Sequence, residues 1–171
     1  MPRSLAPLLV LAALSGCVGG EERASFEPVP AEFVAAADAR CDRTRTTTRN
    51  GPRFPYRDFD PANPDGRLRK VGRFYERLDS EGTVTELADD LRKLDPPPSV
   101  EPAYAEMLDS MDALVTAMRR QTRAAAAGAR KRMIEATEAV DGAFDELGMT
   151  ASDIGAFRCA LSLERNPKTI R

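Results

Sequence analysis

The chain has 171 residues, with 25 Lys and Arg against 27 Asp and Glu; at a formal net charge of −2, no global excess of positive charge marks it as a nucleic-acid binder. It contains no histidine, which removes Ser-His-Asp and Cys-His nucleophile pairs, His-based zinc sites and haem ligation through His. The lack of Trp and the 6% aromatic content, beside abundant Ala, Arg, Glu and Leu, favour helices and predict an all-α fold.

The first segment carries Arg3 and then an almost unbroken Leu, Ala and Val run from Leu5 to Leu14. About ten apolar residues are too few for the roughly 20 of a membrane-spanning helix, and they predict the core of a signal peptide. Leu14-Ser15-Gly16-Cys17 follows at once. A Leu, two small residues and a Cys in that order are similar to a bacterial lipobox, where processing acylates the Cys and cuts just before it. Residues 1–16 are therefore expected to be a signal peptide and Cys17 the lipidated residue, which places the protein on the extracytoplasmic face of the cell membrane. An ordinary secretory signal with an incidental Cys is the alternative. Residues 17–30, with Gly19, Gly20, Pro28 and Pro30, read as the lipidated Cys and a flexible tether that holds the domain roughly 20 Å from its lipid.

Residues 31–163 carry the helical patterns. Phe33, Val34, Ala37 and Cys41 predict a helix over 31–47, weakened at Thr46, Thr47 and Thr48 and stopped by Asn50-Gly51. A proline-rich loop follows to about Asp65, holding Phe54, Tyr56 and Phe59. The second helix, over 66–94, has two apolar sets one residue out of phase: Leu68, Val71, Tyr75 and Leu78, then Val84, Leu87, Leu91 and Leu94. Gly82 and the capping-box pattern Thr83 to Glu86 predict a kink or two shorter helices there. Asp95-Pro96-Pro97-Pro98 is a stop. The third helix begins near Pro102 and carries the stripe Tyr104, Met107, Leu108, Met111, Leu114, Val115 and Met118. A turn is expected near Gly128. The fourth helix carries Met133, Thr137, Val140, Phe144 and Leu147, with Gly148 expected as its cap. A short fifth helix over 150–162 and a loose tail over 164–171 complete the chain. Four such stripes bury best against one another, so the expected architecture is an antiparallel four-helix bundle.

With Cys17 acylated, Cys41 and Cys159 remain in a compartment that permits oxidation. A disulfide between them is expected, with two free thiols as the alternative.

No catalytic residues, metal ligands or cofactor are expected. No Ser-x-x-Lys pattern accompanies the lysines. Glu135, Glu138, Asp141, Asp145 and Glu146 fall mainly opposite the apolar stripe, as a solvated face would, although paired carboxylates are also the equipment of a glycan-cleaving enzyme. Met107, Met111 and Met118 read as core. Between Asp112 and Glu135 there is no acidic residue, while Arg119, Arg120, Arg123, Arg130, Lys131 and Arg132 all occur there. A turn near Gly128 would gather them at one end of the bundle. They form either a solubilising surface or a contact for anionic lipid headgroups or envelope polyanions. Phe54, Tyr56 and Phe59 either cover an open end of the bundle or grip a partner.

The lipobox, Phe33-x-x-x-Ala37-Asp38-Ala39-x-Cys41, the Pro96-Pro97-Pro98 break and a second Cys after the last helix resemble small helical lipoproteins of high-GC Gram-positive bacteria. That resemblance implies an envelope location and a disulfide from the first helix to the C-terminal segment, and it transfers no catalytic residues. The long aromatic loop and the late position of Cys159 depart from the pattern. The functional expectation is a non-catalytic envelope module that binds a protein, a lipid or a small apolar ligand; the alternative is a carboxylate-dependent enzyme acting on cell-wall glycan.

Overall fold

The computed structural model describes residues 28–51, 54, 56–80 and 83–162, with the side chains of 78–80, 161 and 162 excepted. The expected signal peptide, Cys17, most of the tether and the 164–171 tail lie outside the described residues. Among the described residues the fold is all-helical, with six helices: α1 (Ala31–Asn50), α2 (Leu68–Ser80), α3 (Thr83–Arg92), α4 (Glu101–Ala126), α5 (Arg130–Asp153) and α6 (Phe157–Ser162). None of them is long and apolar enough to cross a membrane.

Most element boundaries follow from local chemistry. α1 runs three residues past its expected end, and within it the hydroxyls of Thr46, Thr47 and Thr48 each donate to the carbonyl four residues back, at 2.9, 3.2 and 2.9 Å. The out-of-phase apolar sets between 68 and 94 resolve into two helices, α2 and α3. α4 starts at Glu101 with Pro102 in its first turn, where a missing N–H leaves no bond unmade.

The break near Gly128 is a Schellman turn. Gly128 sits at φ +67°, its N–H donates to Ala125 O at 2.9 Å, and Ala129 N–H donates to Ala124 O at 2.9 Å. The same motif recurs at Gly155, φ +76°, with Gly155 N–H on Ser152 O and Ala156 N–H on Ala151 O, both 2.9 Å. α5 therefore passes through Gly148 and ends one and a half turns later than the sequence pattern suggests. Thr150, Ala151 and Ile154 extend its buried stripe, and that burial carries the helix on. The expected fifth helix shrinks accordingly to α6.

α4 and α5 form an antiparallel hairpin with a turn end at Gly128 and an open end where α4 begins and α5 finishes. Met107, Met111, Leu114, Met133 and Leu147 are fully buried along it, and Val140 is buried beside them. α2 closes the turn end. Leu68 and Val71 join Phe59, Ala124, Ala125 and Met133 in a cluster distinct from the main core. Helix α1 closes the open end: Phe33 meets Tyr104 edge-on at 5.0 Å, and the Tyr104 hydroxyl donates to Leu91 O at 2.6 Å. Burial pushes the Tyr104 and Tyr75 hydroxyls up to about 12. Cys41 and Cys159 stand at disulfide distance, S–S 2.00 Å, which ties α1 to α6 across 118 residues as expected. Asp38 adds a second tie, accepting from Arg158 N–H at 2.9 Å.

Gly72 permits a close contact between α2 and α4. A Cβ there would stand 2.4 Å from the Ala126 backbone nitrogen and 2.6 Å from its Cα, neither of which can swing aside. Gly142, on α5, has nothing within 4 Å of the same position. Gly72→Ala should therefore destabilise the fold by about 1–3 kcal/mol through forced separation of α2 and α4. Gly142→Ala should stabilise it by roughly 0.5–1 kcal/mol through helix propensity. Chemical denaturation of the two variants checks the pair; equal effects would contradict the close approach.

Candidate functional site

Charge on the α4–α5 hairpin is sorted along its length. Residues 101–118 carry Glu101, Glu106, Asp109 and Asp112 with no Lys or Arg, residues 119–132 carry the six basic side chains with no carboxylate, and residues 133–157 carry Glu135, Glu138, Asp141, Asp145, Glu146 and Asp153 with no basic residue. The hairpin is thus basic at its turn end and acidic along the remainder. On α4 this order complements the helix dipole. On α5 it opposes it, since Arg130, Lys131 and Arg132 occupy the first turn, where no acidic residue stands.

The six basic residues share one end of the fold but not one surface. Arg119 turns toward α3 and donates to Thr85 Oγ1 at 3.4 Å. Arg130 bonds Asn63 in the loop, and Lys131 pairs with Glu135 one turn on, at 3.8 Å. Arg120, Arg123 and Arg132 come together. They line a groove of about 460 Å³ between α4 and α5, floored by Ala124, Ala136 and Ala139, with Glu135 as its one carboxylate. Arg123 Nε donates to Arg119 O at 3.2 Å. Among the described residues, the guanidinium groups of Arg120 and Arg132 have no hydrogen-bond or ion-pair partner.

A residue that the sequence pattern does not single out also stands at this end. Arg69 of α2 reaches over Gly128, its Nε 3.4 Å from where a Cβ would sit, and lines a second groove of about 730 Å³ with Asn63, Asp65 and Arg130. A basic residue in the first turn of a helix, again with no acidic companion, was the available signal.

The aromatic loop folds inward. Phe59 is 2% exposed, while Phe54 is half-buried, edge-on to Phe74 at 5.0 Å and stacked on Tyr75 at 6.2 Å. Half-buried Tyr56 lies under the Arg67 guanidinium at 5.0 Å, a cation–π contact. Phe54, Tyr56 and Phe59 pack against the cluster at the turn end. Arg67 fastens this loop by hydrogen bonds to Asp65 Oδ2 at 2.7 Å and Asp58 Oδ1 at 3.1 Å. The carboxylates of α5 face outward: Glu135, Glu138, Asp145 and Glu146 are exposed and Asp141 is half-buried.

Hydrogen bonding from Arg67 holds the Asp58 and Asp65 carboxyls below their ordinary value of 3.8. A folded-state pKa below the unfolded one contributes stability above 3.8 that is lost as pH falls below it. Near-ultraviolet circular dichroism of the aromatic cluster should therefore persist down to that value and fade below it. Arg67→Gln should weaken the signal at neutral pH and remove the acid-dependent part; an unchanged acid transition would contradict the role of Arg67.

No protein-family model, curated protein or solved structure matches the chain.

Proposed function

We propose that the chain is a lipid-anchored, extracytoplasmic envelope protein, a non-catalytic binding module that holds an anionic partner at the turn end of the α4–α5 hairpin. The observation that carries this reading is the placement of Arg130, Lys131 and Arg132 in the first turn of α5. Each like charge at a helix N-terminus costs about 0.3–1 kcal/mol at an exposed site. Of the three, only Lys131 has an ion pair among the described residues, exposed and 3.8 Å long. Arg130 also bonds Asn63, which leaves Arg132 as the first-turn cation with no partner among the described residues, and a local rule broken there points to a use outside the fold.

Three further features support the reading. The Leu14-Ser15-Gly16-Cys17 sequence supplies the lipid site, and the pairing of the other two cysteines suits an oxidising compartment. The resemblance to small helical lipoproteins carries the same location. We read the architecture as a four-helix bundle in which α2 and α3 share one position and α6 straps α1 to α5. A glycan-cleaving enzyme would need carboxylates converging in a concave site, whereas Glu135, Glu138, Asp145 and Glu146 stand apart on an exposed face.

The anchor is tested directly. Wild-type chain should sediment with membranes and carry acyl mass on its N-terminal peptide, and Cys17→Ala should lose both and appear in the soluble fraction. An unmodified Cys17 peptide on a chain that still sediments would overturn the lipid anchor.

A further inference from the structure

We infer that the groove lined by Arg120, Arg123 and Arg132 faces away from the anchoring membrane and takes a linear polyanion built of phosphate groups. The direction rests on the lipid-anchor reading given above; the ligand rests on the groove itself.

The tether enters at the open end, where Val29 packs on the main core and Phe33 meets Tyr104. From Tyr104 to Arg120 and Arg123 the chain rises 16 to 19 helical residues, about 24–28 Å at 1.5 Å each. The two arginines also lie on the opposite side of α4. At about 100° per residue they flank the direction directly away from Met107, Met111 and Leu114, the side on which Tyr104 receives α1. The groove is therefore distant from the tether both along the bundle and across it. On the tether reading, thirteen residues of flexible coil would have a root-mean-square span of roughly 20 Å. At about 0.15 M salt the Debye length is about 8 Å, so the surface potential of the anchoring leaflet is screened out well before it reaches these arginines. With the tethered end toward the lipid, the anchoring membrane is thus a poor ligand for them.

The groove's chemistry selects the partner. Arg120 and Arg123 come from α4 and Arg132 from α5, so a bound anion meets guanidinium groups from two helices, an arrangement that suits the several oxygens of a phosphate group. Arg120 and Arg132 are uncommitted among the described residues, and the alanine floor lets a chain come close. Arg130 and Arg69 line a second groove at the same end, so one long polyanion meets further basic side chains beyond the first groove.

The test titrates the full chain, purified in neutral detergent, with labelled polyphosphate, inorganic phosphate and polyglutamate. Polyphosphate should bind, more weakly as salt rises, and Arg120→Gln/Arg123→Gln/Arg132→Gln should weaken it by about tenfold or more. The charge-matched Arg43→Gln/Arg45→Gln/Arg49→Gln on α1 should leave it within about twofold, with circular dichroism confirming that both variants fold. Equal loss in the two variants, or equal binding of polyglutamate or inorganic phosphate, would overturn the ligand. Reconstituted into anionic vesicles, the chain should bind polyphosphate as it does in neutral ones; loss of binding there would overturn the direction. A chain that fails to join vesicles at all would overturn the anchor, while the detergent titration decides the groove independently.

Discussion

The reversal at Gly128 sets the arrangement of everything else. Its φ of +67° is backbone that a side chain disfavours, and the two hydrogen bonds it permits stop α4 and send α5 back along it. Because the return is immediate, buried residues of the two helices face each other along nearly their whole length. The same reversal brings the basic residues on either side of it, separated by only a few alanines in sequence, to one end. Without the turn, residues 101–153 would form one long helix and the six charges would spread along more than a single end.

The two ends of the hairpin are finished by different means. At the turn end, α2 comes so near α4 that Gly72 can carry no side chain, and the aromatic loop, fastened by Arg67 between Asp58 and Asp65, covers what remains. At the open end, α1 and the six-residue α6 are held by the Cys41–Cys159 pair and by Asp38. A helix as short as α6 has little stability of its own. Cross-linking a span of 118 residues contributes up to about 4–5 kcal/mol on the chain-entropy model, and it fastens this short helix to α1.

Periodicity made the helices, the buried stripes and the break between α2 and α3 legible in the sequence, because each of these depends on spacing within one segment. The cysteine pair was legible from counting and compartment. What escaped depends on contacts between segments. Gly148 looks like a stop until Thr150, Ala151 and Ile154 are seen buried beyond it. The three threonines look like helix breakers until their hydroxyls find carbonyls one turn back. Gly72 gave no local sign of touching the end of α4, and the first-turn position of Arg69 gave no sign of what it would reach. At the candidate site the run of six basic residues was visible, but not its division: Arg119 and Arg130 turn to α3 and the loop, and only Arg120, Arg123 and Arg132 share a groove.

Together these features describe an α4–α5 hairpin with an electrical direction, basic at its turn end and acidic along the remainder, and the proposed anchor would set the basic end outward. The most direct test of that polarity is resonance energy transfer from a single dye on the membrane-anchored chain to acceptors in the lipid headgroups, with the dye placed at Ala127 or at Ala35. The account predicts weak transfer from Ala127 and stronger transfer from Ala35, in neutral and anionic bilayers alike. Stronger transfer from Ala127 would place the arginines on the membrane and contradict it.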